Sequence, residues 1–124
     1  MTLANHTPVS FLPTTDYARA RSFFEGVLGL PWREDGPHAS VYGLQGGSLR
    51  VTKVEAFEPQ PFTVLGWQVH DIRATVKELA AKGAKFERYG FLDQDELGIW
   101  TTPGARVAWF KDPDGNTLSV TQVG

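Results

Sequence analysis

Two stretches of this chain are built to one plan, and that repetition limits its fold more than any other feature. Val9-Ser-Phe-Leu-Pro-Thr-Thr-Asp16 precedes a helical pattern ending at Gly29, and Val64-Leu-Gly-Trp-Gln-Val-His-Asp71 precedes another ending at Gly83. Each opens with an extended apolar run and places an Asp seven residues after its first Val. Asp16 and Asp71 suit helix N-caps, where a carboxylate accepts from amides that have no partner within the helix. Tyr17, Ala20, Phe23, Phe24, Val27 and Leu28 form one apolar stripe, and Ile72, Val76, Leu79 and Ala80 form the other. Gly29 and Gly83 fit the left-handed position that closes a helix.

The ends of the two stretches match as well. Gly47-Ser-Leu-Arg-Val-Thr-Lys-Val54 parallels Asn116-Thr-Leu-Ser-Val-Thr-Gln-Val123, and both read as strands leaving a glycine-containing turn. Between helix and closing strand each half has room for two more strands, expected over 31–34 and 38–44, and over 85–89 and 106–111. Each half is therefore βαβββ, and the class is α+β. The half-repeats cover about 8–54 and 62–123 of a single domain spanning 1–124. Residues 55–61, with Pro59 and Pro61, read as the linker. Residues 91–104 form an additional, partly polar excursion, a segment of the length that often serves as a lid.

Composition narrows the function. A chain of 124 residues, 41% hydrophobic and 21% charged, can bury a core without staples. The net charge is −2 and the basic residues are scattered, so a nucleic-acid partner is not expected. No apolar run approaches the roughly 18 residues of a membrane span, and residues 1–9 lack the pattern of a secretory signal. Cysteine is absent, which excludes disulfides, thiolate metal sites and cysteine nucleophiles. A cytoplasmic protein is the expectation.

In order along the chain, Asp16, Phe23-Phe24, Val27-Leu28-Gly29-Leu30, Asp71 and Phe110-Lys-Asp-Pro-Asp-Gly-Asn116 resemble the vicinal oxygen chelate superfamily. This is the group of glyoxalases, bleomycin-resistance proteins and extradiol dioxygenases. The likeness runs from about Val9 to Val123. It implies two βαβββ modules forming a curved mixed sheet around a cavity, with helices on the convex face. It also implies a homodimer. Enzymes of the superfamily bind one divalent metal through four positions, which fall here on Val9, Arg50, Val64 and Ser119. Divalent metals take carboxylate or neutral imidazole donors. Valine offers neither and Arg50 repels a cation, so no metal and no other cofactor is expected. His6, His38 and His70 show no ligand spacing.

Alternate residues of a strand share a face. With Val9 facing the cavity, Phe11 and Pro13 do so too. Val64 brings Gly66 and Gln68, Arg50 brings Thr52, and Ser119 brings Thr117 and Thr121. The register of the resemblance aims Trp109 and Val107 the same way and leaves Trp67 packed under the helix. Candidate ligand contacts are thus Phe11, Arg50, Thr52, Gln68, Trp100, Trp109 and Ser119. Trp109 and Phe11 suit a flat ring, Trp100 belongs to the excursion with its direction open, and Arg50 suits an anionic group. The plainer role for Arg50 is to neutralise an internal acid such as Glu34, or to reach solvent. Asp93, Asp95 and Glu96 read as a solvated loop. Asp112 to Asn116 reads as a turn, since a calcium loop of the EF-hand type needs Gly at its sixth position and Glu at its twelfth, where Thr117 and Val123 stand.

No Gly-x-Ser-x-Gly, phosphate loop or Ser–His pairing offers a metal-free catalytic set. The expectation is a metal-free binding protein that sequesters an aromatic, in one form anionic, small molecule, with catalytic residues unassigned. The alternative is a metal-dependent lyase, isomerase or dioxygenase of the same superfamily with an altered site. A third reading, a partner module, rests on the apolar Phe57 and Phe62 near the linker.

Overall fold

The computed structural model describes residues 2–124, and the chain divides into two compact units at the Glu58–Pro59 bond. In the first unit the strands are β1 (Val9–Thr14), β2 (Trp32–Asp35), β3 (Ser40–Leu44) and β4 (Gly47–Lys53), in the spatial order β1-β4-β3-β2. β1 and β4 are parallel, with Phe11 beside Arg50 and Leu12 beside Val51, while the other pairs are antiparallel. A parallel pair requires a crossover. Here the connection runs through α1 (Tyr17–Arg21), continuing into π-helical turns over Ser22–Val27, and then through β2 and β3.

Local chemistry explains both ends of that helical segment. The Asp16 carboxylate accepts from Ala18 N at 2.9 Å and Arg19 N at 3.1 Å. Ser22 Oγ donates to the Ala18 carbonyl at 3.1 Å, a contact that bends helices. Gly26 further weakens α-helical geometry. The wider turn, with Leu28 N on the Phe23 carbonyl at 2.9 Å, lets two adjacent rings face inward. Phe23 and Phe24 are both buried and meet edge to face at 5.3 Å. Phe24 reaches Tyr42 at 5.6 Å, and Leu12, Ala20, Leu49 and Val51 complete the core of this unit.

In the second unit the strands are β5 (Thr63–Gln68), β6 (Trp100–Thr101), β7 (Ala105–Lys111) and β8 (Thr117–Val123), in the order β5-β8-β7-β6. β5 and β8 are parallel, and α2 (Ile72–Ala81) makes the crossover. Asp71 caps it by accepting from Ala74 N at 3.1 Å. Gln122 of β8 accepts from Ile72 N at 2.9 Å, tying the start of α2 to the sheet. Gly83, at φ +112°, takes the left-handed turn beyond its end. Ile72, Val76, Ala108, Phe110, Leu118 and Val120 are buried together on the helix side.

Both units have the expected strand–helix–strands plan, as two four-stranded mixed sheets. One element differs. The strand expected over 85–89 is reduced to a single bridge, Phe86 to Phe110, with Glu87 N on the Trp109 carbonyl at 2.8 Å. Trp100 and Thr101 then pair with Val107 and Arg106 farther along β7. The outer polar groups of the interrupted strand are taken by a side chain. Gln94 accepts from Tyr89 N at 2.7 Å and donates to the carbonyls of Glu87 at 3.0 Å and Gly98 at 2.8 Å. No helix among the described residues is long and apolar enough to cross a membrane.

Candidate functional site

In the first unit, strand alternation sorts side chains onto two faces of the sheet. Leu12, Thr14, Leu49 and Val51 are buried under the helical segment. Phe11, Pro13, Arg50 and Thr52 point the opposite way, and Phe11 is 64% exposed. Arg50 makes no ion pair among the described residues, so Glu34 does not neutralise it.

In the second unit the same alternation puts Leu65 and Trp67 toward α2, where Trp67 is half-buried, and Gly66 and Gln68 on the other face, while Val64 stands at the register shift between Thr63 and Leu65. Ser119 sits opposite both Gly66 and Trp109 and is buried. A Cβ on Gly66 would stand 2.6 Å from Ser119 Oγ, so only glycine fits beside that hydroxyl. Trp100 pairs with Val107 and shares its face, which settles the direction of the indole. Its ring lies 6.1 Å from that of Trp109, tilted by 32°. Tyr89 meets Trp109 edge to face at 5.5 Å and Phe91 at 5.8 Å.

These rings wall a pocket of about 310 Å³, lined chiefly by Phe62, Tyr89, Phe91, Leu92, Trp100 and Trp109. That volume matches the lower end of small-molecule sites, which are mostly apolar with a few polar groups. Burial pushes the Tyr89 phenol above its usual range.

Three residues, Asp95, Arg73 and Gln94, hold the excursion that carries the wall. Asp95 Oδ1 accepts from Leu97 N and Ile99 N, both at 2.9 Å. Arg73 of α2 reaches Asp95 at 3.2 Å and Glu96 at 2.9 Å. The hydrogen bond from Arg73 holds the Glu96 carboxyl below its usual pKa. Gln94 closes the base. The acidic residues here therefore fasten a loop, and Phe91 at 83% exposure stands at its rim.

Neither sheet offers a divalent metal its donors. Val9 and Arg50 lie on the open face of the first unit, Ser119 on that of the second and Val64 at the register shift of β5, and among these only Ser119 has a side-chain oxygen. Among the described residues no three His, Cys, Asp or Glu side chains converge. The residues present do not fit a metal of the type the resemblance implies. Asp112 serves its turn, accepting from Asp114 N, Asn116 N and Asn116 Nδ2 at 3.0, 2.9 and 2.8 Å. Burial outweighs these bonds and raises its pKa.

Of the seven candidates, Trp100 and Trp109 line the aromatic pocket, with Ser119 beneath Trp109 in the register and Gln68 on the same sheet face. Phe11, Arg50 and Thr52 share the open face of the first unit. Sequence reasoning missed Tyr89, Phe91, Leu92 and Thr63 as pocket residues and took Phe62 for an interface residue. The available signal was Tyr89 and Phe91 flanking Gly90, two rings at the mouth of a polar excursion.

A family model described as the Glyoxalase/Bleomycin resistance protein/Dioxygenase superfamily matches residues 4–120. No curated protein is significantly similar to the chain. Among solved structures, a putative glyoxalase family protein from Bacillus anthracis superposes with a TM-score of 0.77 at 13% identity, covering 100% of this chain and 99% of that one. TnmS3, an antibiotic binding protein from Streptomyces sp. CB03234, gives 0.74 at 21% identity, with 100% of both chains covered. UcmS2 gives 0.72 at 21% identity, covering 91% and 94%. At such identities these structures speak to the fold.

Proposed function

Because the chain belongs to the glyoxalase/bleomycin resistance protein/dioxygenase superfamily, we propose that it is a metal-free binding protein that sequesters a flat aromatic small molecule. The aromatic pocket of the second unit carries this reading. Tyr89, Trp100 and Trp109 present ring faces and edges at stacking distances around about 310 Å³. The missing metal donors and the antibiotic-binding description of TnmS3 point the same way. Candidate contacts are Trp100, Trp109, Gln68 and Ser119 in the second unit, and Phe11, Arg50 and Thr52 in the first. The rings answer to a flat ligand and Arg50 to an anionic one. A cytoplasmic homodimer belongs to the same proposal, and sedimentation velocity across a concentration series tests the oligomeric state.

The test is a tryptophan-fluorescence titration with a panel of aromatic acids, aromatic alcohols and aromatic antibiotics, run alongside elemental analysis of the purified protein. The expected result is saturable quenching by at least one aromatic compound in protein free of stoichiometric metal. Trp109→Ala should weaken that compound at least tenfold, about 1.4 kcal/mol. A tightly held metal, or quenching unaltered in Trp109→Ala, would overturn the reading.

A further inference from the structure

Arg33 is a second cation on the open face of the first unit, and Gly43 is what lets it lie there. Tyr42 points toward the helical segment, buried against Phe24, so Gly43 faces the opposite side with Val41. A Cβ on Gly43 would stand 2.6 Å from Arg33 Nη2 and 3.0 Å from Arg33 Nε. The guanidinium therefore rests on bare backbone at this glycine, and any other residue would displace it. The register shift between Trp32 and Glu34 in β2 places Arg33 at the bulge, where a side chain is re-aimed.

Arg50 stands on the same face. Its partner on β3 is Val41, two residues from Gly43, so the Arg50 backbone is a diagonal neighbour about 7–8 Å from the glycine that carries the Arg33 guanidinium. Both side chains are long enough to converge on one group between them. Ser48 pairs with Gly43 and Thr52 follows Arg50 along β4, adding hydroxyls to the same face. Neither arginine side chain forms an ion pair or a hydrogen bond among the described residues. Glu34 stands opposite Val41 in the same row as Arg50 but forms no ion pair with either arginine among the described residues. Asp35 is occupied, accepting from Trp32 Nε1 at 3.1 Å and from Ser40 Oγ.

We propose that Arg33 and Arg50 form an oxyanion clamp on the first unit, made for a doubly charged group such as an aryl phosphate and weaker for a carboxylate. Two guanidinium forks with no internal counter-charge match the several oxygens of a dianion, and planar forks recognise such groups bidentately. The clamp goes beyond the aromatic-pocket reading and does not depend on it: it is a separate site within the first unit, with Arg33 and Arg50 setting the charge class it takes.

The experiment titrates the full chain with phenyl phosphate, benzoate and phenol, following the Arg Nε–Hε resonances by NMR and tryptophan fluorescence in parallel. Phenyl phosphate should shift Arg33 and Arg50 saturably, bind at least tenfold more tightly than phenol, and weaken as salt rises. Arg33→Met should remove that advantage while leaving phenol unchanged. Gly43→Ala should lower phosphate affinity without altering any charge, and Arg33→Lys should restore only part of it. If phenyl phosphate leaves both arginine resonances unmoved while fluorescence responds to phenol, the clamp is wrong and the aromatic pocket stands. If the arginines respond and no aromatic compound alters fluorescence, the clamp stands and the pocket reading falls. Silence in both measurements overturns both, and phosphate affinity unchanged in Arg33→Met removes Arg33 from the site.

Discussion

β2 and β6 hold the same edge position in their sheets, yet β2 runs over Trp32–Asp35 and β6 only over Trp100–Thr101. In the first unit the edge strand keeps its ladder on both sides of the bulge at Arg33, and the open face carries strand residues such as Phe11, Arg33 and Arg50. In the second unit the ladder gives way after one bridge, and the chain leaves the sheet with Tyr89, Phe91 and Leu92 before Trp100 rejoins it. One topology thus supports two surfaces of different chemistry, one cationic and one aromatic. Strand order sets where side chains stand, and a break in one edge strand decides what they are.

The severest way to break the comparison is through its common ground, the packed helix side. Phe110 is fully buried where β7 meets β8, 5.3 Å from the Phe86 ring. Phe110→Ala should cost about 3–5 kcal/mol, measured by urea denaturation. A loss near zero would mean that the bridge to Phe86 does not anchor the interrupted strand. Gln94→Ala tests the difference itself. It strands the Glu87 and Gly98 carbonyls and Tyr89 N, so about 1–3 kcal/mol should be lost. Amide exchange should then quicken over 87–99 while β2 and β3 stay protected. Equal protection in both units would show that the side chain does not replace the missing ladder.

The smallest effect contrasts two carboxyl groups. Hydrogen bonds from Ser40 and then Trp32 hold Asp35 in the first unit below its usual pKa of 3.8. Its contribution to stability is present above the unfolded pKa and is lost as pH falls through the lower folded value. Asp112 in the second unit is raised above 3.8 by burial. Its contribution is full below the unfolded pKa and is lost as pH rises through the higher folded value. Carboxyl-carbon NMR titration should therefore show Asp112 ionising after Asp35. The reverse order would mean that the three hydrogen bonds to Asp112 outweigh its burial.

Much of this was legible in the residues. The Asp caps, apolar stripes and closing glycines predicted both crossovers, because each encodes a local contact that forms whatever lies around it. Strand faces followed from alternation once the resemblance supplied the register, and Trp67 and Trp109 lie on opposite faces as that register implies. The π-helical turns were not legible: Phe23 and Phe24 fit an α-helical stripe, and only packing on the sheet shows that both must point inward. The loss of the strand at 85–89 depends on Gln94, whose side chain gives no sign in sequence that it binds backbone. The same holds for Arg33, which faces its site only because of a bulge in β2 and a glycine on the neighbouring strand.

Gln94, Asp95 and Arg73 fasten the excursion at its base, while Phe91, Leu92 and Asp93 lie outside those anchors. Such an arrangement separates what must stay from what is free to vary. A library randomised at those three positions leaves every fastening contact untouched and changes the rim of the pocket directly. The molecule is then a compact, cysteine-free frame for selecting new receptors, with tryptophans already in place to report capture by a change in emission.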